Sequence, residues 1–204
     1  MNRSEHQDTR ETILRAGELL ILSKGFSAVG LSQILAQAKV PKGSFYHYFK
    51  SKEQFGVELI RRYFSHYGQV LDELFNQPEK SGKERLMSYW LHWFETQTDE
   101  CCDKQCLAVK LSAEVSDLSD DMRLMLKSGI DAIIGRIEEC VVLGIRDSSL
   151  PAMLDARLTA VVLYQQWMGA SLMTKVRRDD SAIKTAMMMT EQVLASDSVF
   201  KKES

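Results

Sequence analysis

The sequence predicts an all-α protein, and three observations lead to that prediction. Apolar residues recur every three to four positions through most of the 204-residue chain, as on one face of a helix. No segment shows the alternation of apolar and polar residues that is typical of a half-buried strand. The chain has only 11 glycines and three prolines, too few for the many turns of a sandwich or barrel.

The first fifty residues predict three short helices. The first starts near Thr9 and ends before Gly25, because glycine commonly follows the last turn of a helix. The second covers 31–38, residues 39–40 form a turn, and Pro41 suits the first turn of a third helix. Three short helices with a tight turn between the last two are typical of a helix-turn-helix module.

Longer helices follow. Ser51 is placed to cap a helix that runs to about Phe75, with Gln54 three residues on. Residues 78–82 interrupt the helical pattern, and residues 98–105 are predicted to form a polar loop. The last four residues (KKES) are predicted to form a frayed tail. The remaining helices are predicted at 83–97, 106–115, 119–145, 151–178 and 181–195. The predicted domains are a helix-turn-helix domain over 1–52 and a helical domain over 53–204.

Charge is distributed unevenly between these two parts. Residues 1–52 hold eight Lys and Arg against four Asp and Glu, a net charge of +4. The rest holds 18 basic and 24 acidic residues, a net charge of −6. A basic head on an acidic body suggests a polyanionic partner for the head alone.

Several classes of protein are disfavoured. No apolar run is long enough to span a bilayer, and the N-terminus lacks the apolar stretch of a signal peptide. Four cysteines are too few for a disulfide scaffold, so we expect a cytoplasmic protein with reduced thiols and no membrane association. There is no nucleophile elbow, phosphate loop or metal-binding His pair, which argues against an enzyme, and no cofactor is implied. A helical adaptor without DNA binding would leave the basic head unexplained.

The third predicted helix has two different faces. Phe45, Phe49 and Tyr48 fall on the side that can pack inward. The outward side carries a lysine, two small residues and two ring donors, namely Lys42, Gly43, Ser44, Tyr46 and His47. Small residues let a helix approach DNA closely, and the donors can contact phosphates or base edges. From composition alone, an equally good interpretation is that Tyr46 and His47 only cover the solvent-exposed edge of the apolar core.

Lys52 begins the next helix and is a candidate phosphate contact, which counterion release would favour.

The run LSQILAQAKVPKGSFYHYFKSKEQF, preceded by Gly25-Phe26, resembles the N-terminal signature of the TetR family of transcriptional regulators. The resemblance spans roughly residues 9–55, with glycine, aromatics and Ser-Lys-Glu in register. It departs from the family pattern at Gly30 and Pro41. By this resemblance the DNA-contacting positions include Ser32 and Gln33 of the second helix together with the outward residues above and Lys52. The implied partner is a double-stranded operator.

The same resemblance implies that the C-terminal domain senses an effector and forms a homodimer. Wide apolar stripes on 151–178 and 181–195 permit a four-helix dimer interface. An intrachain core built from the same stripes is the alternative.

The segment CLAVKLSAEV, which opens at Cys106, resembles the N-ethylmaleimide reductase repressor branch of the family, whose members sense reactive electrophiles and oxidants. That resemblance implies Cys106 as the sensing thiol. A thiolate is the reactive form, and a nearby cation favours it, so Lys110 and Lys175 are candidate partners.

Two alternatives keep the DNA-binding head but change the signal. One is a noncovalent apolar ligand, with Cys106 inert. The other is a thiophilic metal held by the cysteines 101, 102 and 106, although their spacing lacks the pairs typical of zinc sites and we assign no metal ligand. Cys140 lies in an apolar helix and is expected in the core.

Overall fold

The structure is a computed structural model and describes residues 3–98, 107–115 and 117–195. In these ranges the chain forms nine helices and no strand, so the all-α prediction is confirmed. The helices are α1 Arg3–Lys24, α2 Leu31–Ala38, α3 Lys42–Tyr48, α4 Lys52–Phe75, α5 Gly82–Thr98, α6 Leu107–Val115, α7 Asp120–Arg146, α8 Ala156–Arg177 and α9 Ser181–Ala195.

The helices group into two compact units. The first, called the head below, contains the chain up to Ser65 and the segment that ends at Gly129. The second, called the body, contains the segment that starts at His66 and the chain from Ile130 onward. The boundaries fall within α4 and α7, and the head includes α6. The head therefore contains the predicted 1–52 module but is larger than it.

The head is built around phenylalanines. Phe45, Phe49 and Phe55 have no exposed surface, and their ring centroids lie 5.1 to 5.7 Å apart. Helix α6 adds Leu107 and Leu111 to the same apolar cluster. This core fixes α3 against α1, α2 and α4, so the orientation of α3 is set by apolar packing.

The body is built around tryptophans. Trp90 and Trp167 are fully buried and stack at 5.1 Å between centroids. The Nε1–H of Trp167 donates to Thr190 Oγ1 at 2.8 Å, and that of Trp93 donates to Ser171 Oγ at 2.9 Å. Helices α5, α8 and α9 are therefore joined by hydrogen bonds inside an aromatic core.

The N-cap predicted at Ser51 is present, and Ser119 caps α7 in the same way. The N–H of Gln54 donates to Ser51 Oγ at 3.1 Å, and the N–H of Met122 donates to Ser119 Oγ at 3.3 Å. Each hydroxyl satisfies an N–H that the first helical turn leaves without a partner.

Two helix starts were wrongly placed from the sequence. Helix α1 begins at Arg3 rather than near Thr9, because its first turns are polar and apolar periodicity cannot reveal them. Helix α8 begins at Ala156 rather than 151, because the Asp155 carboxylate caps it by accepting from Leu158 N at 2.7 Å. The predicted loop after Thr98, the helix start at Cys106 and the last four residues lie outside the described residues.

Candidate nucleic-acid interface

The turn between α2 and α3 is closed by backbone geometry. Lys39 ends α2 in the left-handed region, with φ of 55°, and its N–H donates back to Ala36 O at 3.2 Å. Val40 N donates to Leu35 O at 3.1 Å. Pro41, at φ −68°, then precedes α3 without losing a hydrogen bond, since the first helical N–H groups have no partner within the helix.

Helix α3 separates its side chains as the sequence predicts. Opposite the buried Phe45 and Phe49, the exposed residues are Lys42, Gly43, Tyr46 and His47. Ser44 is only half-buried rather than fully outward. A Cβ built on Gly43 would meet no atom within 4 Å, so this part of the face is open to a partner's close approach.

The two predicted contacts from α2 are both exposed. Ser32 lies near the start of the helix, and Gln33 uses its side-chain oxygen to accept from Gly30 N at 3.2 Å. Gln33 thus supplies the reciprocal half of a capping box, while Gly30 has no side chain to accept from the N–H of Gln33.

Lys52 differs from the other predicted DNA contacts. Its ammonium donates to the carbonyl oxygen of Phe26 at 2.7 Å and lies 4.6 Å from the centroid of the Phe26 ring. Burial lowers the pKa of Lys52, and the charge of Glu114 partly opposes that shift. An ammonium has three N–H groups, so contact with a phosphate stays a prediction, but Lys52 also has a structural role within the head.

Glu114, on α6, is a residue that sequence reasoning missed. Its carboxylate accepts from Phe26 N at 2.9 Å and from Ser27 N at 2.6 Å. Burial acts to raise its pKa, but the hydrogen bonds from Ser27 and Phe26 and the charge of Lys110 outweigh it and leave the pKa lowered. These partners lie 87 and 88 residues apart in sequence, so no local pattern could have revealed the contact.

The predicted sensing site is only partly described. Cys106, like the cysteines 101 and 102, lies outside the described residues. Lys110 is half-buried on α6 in the head, and Lys175 is on α8 in the body with a buried ammonium nitrogen. Cys140 is buried on α7, as predicted, and burial raises the pKa of its thiol to about 11.

Among the described helices, none is long and apolar enough to cross a bilayer.

A three-helix module that presents basic, small and aromatic side chains on one helix is the architecture of a helix-turn-helix DNA-binding protein. Comparison with known proteins agrees with that class. Residues 13–59 match the family described as bacterial regulatory proteins, tetR family, and residues 82–190 match the tetracyclin repressor-like, C-terminal domain. The chain belongs to the TetR family.

Two relatives are similar to this chain along nearly their whole length. The HTH-type transcriptional repressor NemR of Escherichia coli (strain K12) is 38% identical over 199 residues, which cover 98% of this chain and 100% of that protein. The HTH-type transcriptional repressor DhaR of Mycobacterium sp. (strain GP1) is 29% identical, over 96% of this chain and 97% of that one. The crystal structure of the reduced form of E. coli NemR superposes with a TM-score of 0.87 at 39% identity, covering 94% of this chain and 100% of that chain. The chain is thus a TetR-family transcriptional repressor and not an enzyme.

Proposed function

We propose that this repressor binds a palindromic operator as a homodimer and is released when a reactive electrophile or oxidant modifies Cys106. The functional division we propose is DNA binding by residues 1–52 and effector sensing with dimerisation by residues 53–204. The observation that carries the proposal is the α3 face, where four of the five predicted contacts are exposed opposite a fully buried phenylalanine pair.

The DNA contacts that we propose come from both helices of the module. Lys42, Ser44, Tyr46 and His47 of α3 meet the major groove, and Gly43 lets the backbone approach it. Ser32 and Gln33 of α2 and Lys52 of α4 contact the flanking phosphates, which positions the module on the duplex without reading sequence.

Dimerisation through α8 and α9 is supported by apolar side chains that the single chain leaves exposed. Val176 is 68% exposed and Met188 57%. The other large apolar residues exposed on these helices are Leu158, Leu172, Met173 and Met189. A groove of about 340 Å³ between α8 and α9 is lined by two methionines, three alanines, Gln166, Thr185 and Arg177. A second copy of the chain would cover this surface, as in other helical dimers.

The proposed chemistry at Cys106 takes two forms. Its thiolate adds to the activated double bond of a compound such as N-ethylmaleimide, forming a C–S bond while water supplies the proton for the neighbouring carbon. Hypochlorous acid instead takes two electrons from the thiolate, giving a sulfenic acid and chloride. Lys110 and Lys175 are the cations proposed to favour the thiolate. Similarity to NemR, whose solved structure is of a reduced form, supports a redox-responsive thiol.

Release from the operator is a shift between conformers of the dimer. The modified protein favours a conformer in which the two α3 helices no longer match adjacent major grooves. The effector therefore changes the separation of the DNA-reading helices and leaves the contacting residues themselves intact.

The test is operator binding by the reduced protein to DNA from upstream of its own gene, before and after N-ethylmaleimide or hypochlorite. Wild-type protein and a Cys101→Ser control should bind and then release, whereas Cys106→Ser should bind and stay bound. Equal release by Cys106→Ser would assign the chemistry to another cysteine. Tight binding throughout by all three proteins would contradict a thiol switch.

A noncovalent apolar ligand is the second candidate, and one observation in the body favours it. The Nε1 of Trp90 and the Oγ1 of Thr159 belong to side chains with no exposed surface, and neither atom has a hydrogen-bond partner among the described residues. An apolar molecule with one polar group could satisfy such atoms. Induction that persists in Cys106→Ser and weakens in Thr159→Val would favour this candidate.

A thiophilic metal held by the three cysteines between 101 and 106 is the weakest candidate. Stoichiometric metal in the purified, reduced protein would support it, and its absence after purification without chelators would count against it.

A further inference from the structure

The turn between α1 and α2 is held from outside the helix-turn-helix. Gly25 starts it with φ of +91°, a left-handed conformation that glycine adopts without strain. The next two N–H groups, of Phe26 and Ser27, point to the Glu114 carboxylate at 2.9 and 2.6 Å. Each carboxylate oxygen accepts one of these bonds, so the contact is bidentate and charge-assisted.

Lys52 holds the same turn from a different helix. Its ammonium reaches the Phe26 carbonyl oxygen at 2.7 Å and lies over the Phe26 ring. The opposite charges of Lys52 and Glu114 attract each other, which shifts the pKa of Lys52 upward against the effect of burial. One buried residue, Phe26, therefore connects α4 and α6, and we call this group of four residues (Phe26, Ser27, Lys52 and Glu114) the Phe26 clasp.

The location of the clasp matters because it joins both ends of the DNA-binding element. The chain passes from Phe26 into α2 at Leu31, and it leaves α3 at Tyr48 to reach α4 at Lys52. The segments before α2 and after α3 thus meet at one residue, and α6 is the helix that holds it. The Glu114 carboxylate accepts from Phe26 N at 2.9 Å and from Ser27 N at 2.6 Å. If α6 moved away from the turn by about an ångström, both of these bonds would exceed hydrogen-bond length.

Helix α6 is also the helix nearest in sequence to the proposed sensing thiol. It begins at Leu107, the residue after Cys106, and Glu114 lies seven residues further on, about 10 Å along the axis. Leu107 and Leu111 are buried in the head core, so α6 moves as a packed rod rather than a loose segment.

Resting on the proposed function, we propose that Glu114 is the positioning residue through which α6 keeps the helix-turn-helix in its DNA-binding geometry. Modification next to the start of α6 then weakens operator binding by withdrawing this carboxylate from Phe26 and Ser27. Glu114 does not contact DNA; it acts through the turn.

The decisive variant is Glu114→Gln, which keeps the size of the side chain but leaves one acceptor oxygen and places an NH2 group against a backbone N–H. We expect operator affinity to fall about tenfold to a hundredfold, the effect of losing charge-assisted hydrogen bonds. We also expect amide hydrogen exchange at Phe26 and Ser27 to accelerate at least as much. Glu114→Asp retains the charge but has a shorter side chain, so its operator affinity and amide exchange should lie between those of the wild type and Glu114→Gln. It serves as a second variant in case Glu114→Gln does not fold.

A matched control exists in the body. Asp147 accepts from Gly82 N at 2.7 Å across 65 residues, so it makes the same kind of contact between carboxylate and backbone, away from the head. Asp147→Asn should leave operator affinity, the response to N-ethylmaleimide and exchange at residues 26 and 27 unchanged.

The second measurement follows the same two amides in wild-type protein before and after N-ethylmaleimide. Faster exchange at Phe26 and Ser27 on treatment, with Glu114→Gln already fast and little affected by further treatment, is the expected result. Release from DNA with both amides still protected would overturn the proposal, and so would normal operator affinity in Glu114→Gln.

If the wild-type protein binds no operator or does not respond to N-ethylmaleimide, the proposed function fails separately. In that case unchanged exchange in Glu114→Gln would overturn the positioning role, and accelerated exchange would support it.

Discussion

The head and the body use their buried aromatic residues differently. The three largest fully buried side chains of the head are phenylalanines, Phe45, Phe49 and Phe55, which carry no polar atom. Their counterparts in the body are Tyr89, Trp90 and Trp167. A phenylalanine core is stabilised by packing alone and has one well-defined arrangement, whereas every indole N–H or phenol must also find a partner.

That difference matches the tasks of the two units. The head must present α3 in one geometry, and an apolar core without polar requirements provides it. The body pairs Trp167 with Thr190 and Trp93 with Ser171 but leaves Trp90 Nε1 without a partner in the described part of the chain. An incompletely satisfied core can gain stability by rearranging, which suits a unit that responds to an effector.

Truncation in the head core should have the largest effect. Phe45→Ala removes a ring that has no exposed surface and contacts Phe49 and Phe55. We expect unfolding free energy to fall by about 3–5 kcal/mol, with loss of operator binding, because the cavity cannot collapse among rigid neighbours. Urea unfolding followed by circular dichroism measures it. A loss below about 1 kcal/mol would mean that the head core is loosely packed, which would contradict the contrast drawn here between the head and the body.

The next effect tests the polar requirements of the body core. Thr190→Val removes the acceptor of Trp167 Nε1 and should destabilise the protein by about 1–3 kcal/mol, since the indole N–H stays buried without a partner. Thr159→Val is the matched control, because the hydroxyl of Thr159 is equally buried and has no hydrogen-bond partner to lose within residues 3–98, 107–115 and 117–195. It should be neutral or stabilising by up to about 1 kcal/mol. Equal losses from both substitutions, in thermal or urea unfolding, would show that hydrogen bonding does not distinguish the two sites.

The sequence could predict the apolar architecture better than the polar contacts, for a physical reason. Apolar periodicity and the Gly and Pro positions predicted each of the nine helices in the described residues. The helical wheel separated Phe45 and Phe49 from Lys42, Tyr46 and His47. Both inferences depend only on local spacing. The Phe26 clasp depends on tertiary packing that brings together residues up to 88 positions apart. Lys52 shows the limit clearly, since its position suggested a phosphate contact and its ammonium is also used inside the head.

The start of α8 illustrates the same limit on a smaller scale. Leu150, Met153 and Leu154 fit an apolar helical pattern, but the helix begins only after Asp155, whose carboxylate accepts from Leu158 N. A cap decides the start, and periodicity does not contain that information.

The exposed aromatic ring of α3 should affect function rather than stability. Tyr46 is 53% exposed and adjoins the fully buried Phe45. Tyr46→Ala should therefore change unfolding free energy by no more than about 0.5 kcal/mol while weakening operator binding about tenfold or more, by loss of groove contacts. Fluorescence anisotropy with a labelled operator measures the affinity, and unfolding of the same sample is the control. Unchanged affinity would remove Tyr46 from the DNA interface.

The smallest effect concerns the buried thiol of the body. Burial raises the pKa of Cys140 to about 11, so near neutral pH its thiolate fraction is about a hundredfold below that of an ordinary cysteine. In a variant that carries Cys101→Ser, Cys102→Ser and Cys106→Ser, alkylation of this remaining thiol should be slow at pH 8 and should keep rising beyond pH 9. The pKa of Cys140 is higher in the folded than in the unfolded protein. The contribution of this thiol to folding stability is therefore fully present below the pKa of the unfolded state and is lost as the pH rises toward about 11. Mass spectrometry of the alkylated peptide gives the rate, and a plateau near pH 9 would show that the body opens enough to expose the thiol. The slow rate would mean that a thiol in this core cannot serve as a fast electrophile sensor, which leaves that role to a cysteine of the segment before α6.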